Sequence, residues 1–104
     1  MLPLVIAESK IFIFKFWFEG ETKEGMCYKN ELFCRLQKFN IHDRVQVYHL
    51  GSRLANQEVL IAFTASAEDC SLWVSLRDPL AKELLLKANE MDLRKIEEFT
   101  VRPS

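Results

Sequence analysis

Lys10-Ile-Phe-Ile-Phe-Lys-Phe-Trp-Phe18 decides how this chain is read, because its two alternating faces are both apolar and a single charge interrupts its interior. In period-2 register one face carries Phe12, Phe14, Phe16 and Phe18, and the other carries Ile11, Ile13, Lys15 and Trp17. A strand with one solvated face shows polar residues there. The pattern therefore predicts a strand covered on both sides and places it at the centre of the fold. Lys15 fits such a strand if its stem lies along apolar surface and its ammonium reaches water, which makes the Ile11, Ile13 and Trp17 face the more open one and the phenylalanine face the deeper.

Working outward, Glu19-Gly-Glu-Thr-Lys-Glu-Gly25 is polar, bracketed by glycines, and reads as a chain reversal. Residues 26–38 then fit two periods. Leu32, Phe33, Leu36 and Phe39 share a helical face, while Leu32, Cys34 and Leu36 alternate as in a strand. A short turn and the lack of a cap at Met26-Cys-Tyr28 favour the strand. Asn40 and Asp43 are both able to cap a helix over 42–56, with Val47, Leu50 and Leu54 at helical spacing. The rival reading is a strand at 44–50 ended by Gly51. Glu58 to Ala65 and Cys70 to Arg77 read as further buried strands. Asp78-Pro79 marks a helix start, with Leu80, Leu84, Leu85, Ala88 and Met91 on its apolar side, predicting a helix over 79–97.

The expectation is an α+β fold over residues 1–104 as one domain. Its sheet is small and mainly antiparallel, with about three to four strands (9–18, 26–38, 58–65 and 70–77), and it packs against helices over 42–56 and 79–97. A chain of 104 residues buries enough surface to fold without metals or disulfides. The apolar start, Met1 to Ala7, has no basic flank and is too short for a signal core or a membrane span. A cytoplasmic location with no membrane partner is expected, and the three cysteines (Cys27, Cys34 and Cys70) are read there as free thiols.

Residue patterns for chemistry are weak. The glycines lie too far apart for a phosphate loop, and neither HExxH nor an EF-hand occurs. Cys27, Cys34, His42 and His49 carry zinc-type donors, yet their seven-residue steps are wider than chelating pairs. Cys70 sits beside Asp69, whose charge opposes the thiolate a nucleophile needs. Glu19, Glu21 and Glu24 read as solvated turn carboxylates. No cofactor, metal or catalytic residue is expected, and the chain is read as a non-enzyme.

The leading functional reading is a small intracellular accessory or regulatory protein that acts through protein–protein interaction, itself or another protein being the partner. The surface expected to carry it is Ile11, Ile13, Lys15 and Trp17 with Trp73. A second reading is a nucleic-acid-binding module that uses Arg35, Lys38, Arg44 and Arg53 among the aromatics of 29–53. The net charge of −1 supplies no bulk attraction for a polyanion. A third is a small ligand-binding domain or enzyme whose pocket is assembled from scattered residues.

Overall fold

Tight turns organise the first half of the chain. In the computed structural model, which describes residues 2–88, Glu19 and Gly20 have φ of 51° and 79°, and Lys29 and Asn30 have φ of 50° and 65°. Two consecutive left-handed residues mark the type I′ hairpin, whose twist matches the strands it joins. In chain order the elements are β1 (Leu4–Ala7), β2 (Ile13–Phe18), β3 (Glu21–Tyr28), β4 (Glu31–Asn40), α1 (Arg44–Asn56), β5 (Ile61–Ala65), β6 (Asp69–Ser75) and α2 (Ala81–Lys87). Short 3-10 turns at Glu8–Lys10 and Ile41–Asp43 link β1 to β2 and β4 to α1.

The strands form one six-stranded mixed sheet in the order β1-β5-β6-β4-β3-β2. This corrects the expected sheet of three to four strands in three places. Leu4–Ala7 is a strand, paired in parallel with β5. Residues 21–40 are a hairpin of two strands, because the reversal needs only Glu19 and Gly20, and the polar residues Thr22, Lys23 and Glu24 lie within β3. The strand expected at 9–18 is shortened to Ile13–Phe18, because Glu8–Lys10 form a 3-10 turn, and it lies at an edge rather than at the centre, which belongs to β6 and β4. The helical look of 26–39 also has a cause. A bulge between Arg35 and Gln37 shifts the side-chain alternation by one residue, so Cys34 before it, Leu36 within it and Phe39 after it reach the same core.

Both helices lie on one face. The Asn40 carboxamide oxygen accepts from the His42 amide at 2.8 Å and so caps the 3-10 turn that leads into α1, whose own cap position, Asp43, makes no side-chain cap bond; α1 buries Val47, Leu50 and Leu54. Gly51 allows close approach to the sheet, since a Cβ there would stand 2.9 Å from Leu72 Cδ2. The expected helix start at Pro79 falls two residues later, at Ala81. The buried Asp78 carboxylate accepts from the Leu80 amide and, through its other oxygen, from the Leu60 amide, both at 2.8 Å. It thereby ties α2 to the strand entering the sheet, and the part of that helix expected beyond residue 88 lies outside the described residues. The helix-side core comprises these apolar faces with Cys34, Ile61, Phe63, Leu72 and Val74.

The opposite face is closed by the chain itself. The strands β1 and β2 occupy opposite edges, so the link from Ala7 to Ile13 must cross the sheet. Six residue steps reach about 20–22 Å at most, whereas five strand spacings of a flat sheet span about 24 Å. The sheet therefore curls, and Ile6 of β1 shares a cluster with Met26 of β3, Phe33, Ala62 and Trp73, onto which Ile11 and Ile13 pack. At its centre Trp73 is 0% exposed and its indole N–H donates to Thr64 Oγ1 at 2.8 Å. The Arg35 guanidinium lies 4.6 Å above the Trp73 ring. Its Nη1 donates to Glu24 at 2.6 Å and its Nη2 to Glu8 at 3.2 Å. That clamp pins the crossing segment over the concave face.

Candidate interaction surface

The five residues expected to share an interaction face separate into two environments. Ile11 and Ile13 are half-buried against the concave cluster, and Trp73 lies wholly beneath Arg35. Lys15 is exposed and Trp17 is 73% exposed. They stand on the same side of β2, one residue apart from each other across Phe16, at the rim of the sheet. Their backbone completes the surface. In a two-residue hairpin the residues flanking the turn, here Phe18 and Glu21, form a hydrogen-bonded pair. Alternation along the ladder then turns the N–H and C=O of Phe14, Phe16 and Phe18 toward β3, and those of Ile13, Lys15 and Trp17 outward from the edge.

On the other side of β2, Phe14, Phe16 and Phe18 form a row with ring centroids 6.1 and 6.3 Å apart. The row lies down on β3 because residue 25 is glycine: a Cβ there would meet Phe16 Cε1 at 2.9 Å and Phe14 at 3.0 Å. The rings remain partly open beyond the helices. With Leu32, Phe33 and Leu76, the rings of Phe14 and Phe16 line a shallow apolar groove of about 170 Å³. Leu32 is 48% exposed and Phe12, just before β2, is 79% exposed. Phe12, Phe14 and Phe16, expected on the deeper face, are exposed or partly open here. The usable signal was the edge position, which a period-2 pattern alone does not carry.

The basic residues do not converge. Arg35 is 7% exposed on its side chain and held by two glutamates. Lys38 lies near Asp69 at 3.9 Å. Arg44 opens α1 and Arg53 lies near its end, on the helix layer. The turn glutamates each face a cation: Glu19 is 3.3 Å from Lys82, Glu21 is 3.1 Å from Lys23, and Glu24 holds Arg35.

Two of the three thiols are unsuited to nucleophilic work. Burial pushes the Cys34 thiol up to about 11, Lys23 offsetting this only in part. Cys70 is raised by burial first and then by the charges of Asp43 and Asp69. Cys27 is exposed on β3, diagonal in the ladder to buried Cys34, and both are free thiols; among the described residues no three histidine, cysteine or acidic side chains gather as a metal site. No helix among the described residues is long and apolar enough to cross a membrane. Comparison with protein-family models, curated proteins and solved structures finds no match to this chain.

Proposed function

We propose that this is a small cytoplasmic accessory or regulatory protein that acts by binding protein, without catalysis of its own, through the β2 edge and its aromatic flanks. One observation carries the reading. Both sheet faces are filled from within the chain, yet β2 leaves a six-residue edge with Trp17 73% exposed and only Lys15 as a charge within it. Exposed apolar edge strands are what natural proteins shorten, charge or cover, and an uncovered one is the template for strand addition by a partner.

The test is light scattering on the full chain across a concentration series. The wild type and Lys87→Glu, a change on exposed α2 surface, should associate alike. Trp17→Glu should move the species toward monomer. A wild-type chain that stays monomeric at its highest soluble concentration, with Trp17 emission shielded from aqueous quenchers, overturns the reading.

A further inference from the structure

Resting on that reading, we infer that the occupant of the β2 edge is β2 of a second copy, paired antiparallel about a two-fold axis at Phe16, so that Lys15 of each copy faces Trp17 of the other. The hydrogen-bonding parity of the edge restricts the choice. Only Ile13, Lys15 and Trp17 present outward N–H and C=O groups, so any antiparallel partner must match these with its own. Two identical strands can do so about Phe14, Lys15, Phe16 or Trp17, and about Phe14 half of the contact falls on residues 10–12, before β2 begins. Placing the axis at Lys15 sets two ammonium groups directly opposite, which opposes pairing. Placing it at Trp17 moves half of the contact onto Glu19 and Gly20, whose left-handed backbone cannot continue a ladder.

With the axis at Phe16, the Lys15 and Trp17 backbones exchange hydrogen bonds on both sides of the axis, and the ladder ends there, since Ile13 falls opposite the turn residue Glu19. Each Lys15 ammonium meets an exposed indole face, an arrangement attractive to a cation. On the other side of the sheet Phe16 opposes Phe16 of the partner, and Phe14 opposes Phe18. These are the closer, non-hydrogen-bonded pairs, and they extend the ring row of Phe14, Phe16 and Phe18 into a two-chain aromatic strip. The other edge is a poorer candidate. Strand β1 has four residues and is preceded by Pro3, which has no N–H to offer. The net charge of −1 raises little repulsion between two copies.

Disulfide trapping reads the register directly, in a Cys27→Ser background because Cys27 is exposed. Lys15→Cys and Trp17→Cys alter exposed positions, so folding is preserved and is verified by circular dichroism. Directly opposed residues stand about 5.5 Å apart at Cα, within disulfide reach, whereas a pair displaced by two residues stands about 8–9 Å apart, beyond it. Mild oxidation should therefore give a covalent dimer from an equimolar mixture of the two variants, joined 15 to 17 by mass analysis, and little from either variant alone. Efficient dimer from Lys15→Cys alone, or from Trp17→Cys alone, overturns the Phe16 axis while leaving interaction through the edge standing. No covalent dimer in any arm, together with a monomeric wild type by light scattering, overturns both.

Discussion

Thr64→Val isolates the interaction at the centre of the concave face. Thr64 and Trp73 are both 0% exposed, and the indole N–H has its acceptor in Thr64 Oγ1 at 2.8 Å. Trp73 lies directly across from Ala62 in the ladder, so Thr64 is a diagonal neighbour on the same face. Valine keeps the shape and branching of threonine but removes the oxygen. Arg35 stacked on the ring keeps water from replacing it, so the indole N–H is left buried and unpaired. An orphaned donor of this kind costs about 1–3 kcal/mol, and valine's better fit to a strand returns a few tenths. A net loss of about 1–2 kcal/mol corresponds to a Tm lower by about 4–16 °C in a domain of this size. Urea and thermal unfolding followed by circular dichroism measure it. In a Trp73→Phe background the donor is gone, and the same Thr64→Val change should be neutral or stabilising, which a double-mutant cycle reports. A loss below about 0.5 kcal/mol, the range of an ordinary surface change, or an equal loss in both backgrounds, would refute the reasoning.

Two further outcomes are expected. In native protein at neutral pH a thiol reagent should modify Cys27 alone, since Cys34 and Cys70 are buried and their thiols are held protonated; mass spectrometry should find one adduct folded and three in denaturant, and rapid native labelling of Cys34 would contradict the packing. The Glu31 carboxylate is held below its ordinary value, first by the Ser75 hydroxyl at 2.7 Å and then by Arg77, so its contribution to stability is present above the ordinary glutamate value of 4.5 and is lost as pH falls through its lower folded value. Glu31→Gln should flatten that acid-side loss while leaving the remaining pH dependence unchanged, and identical acid profiles for the two proteins would count against the Ser75 contact.

Local patterns in the chain reveal elements whose cause is local and hide those whose cause is elsewhere. Helix α1 is visible because Asn40 caps the 3-10 turn that leads into it and Val47, Leu50 and Leu54 repeat at helical spacing. The stretch at 10–18 is visible as a strand but not as an edge, because alternation assigns faces and not strand neighbours: Ile13 packs on the concave cluster while Trp17, on the same side, stays 73% exposed at the rim. The polar residues of β3 conceal that strand. Glu24 is there to hold Arg35, a partner 11 positions away. The bulge after Arg35 hides the period of β4. For the candidate site, Trp17 and Lys15 were legible as an exceptional pair. Trp73 looked like their neighbour because alternation assigns a face but not a depth, and an arginine with two carboxylates closes over it.

The same geometry that leaves β2 open also limits what can assemble on it. A sheet with two long free edges grows into a fibre, since each addition presents a fresh edge. Here the inner side of β2 is already paired with β3, and the far edge is β1, four residues long with Pro3 before it. The central Lys15 penalises every alignment that stacks like charge and tolerates the one that sets it against Trp17. Pairing about the Phe16 axis would use the one long edge left open among the described residues, so association would stop at two. Lys15→Ile, which keeps the apolar edge, should therefore still saturate at a dimer by light scattering while its register relaxes, because an axis at residue 15 no longer opposes like charges; open-ended growth of that variant would show that β2 is not the edge consumed in pairing.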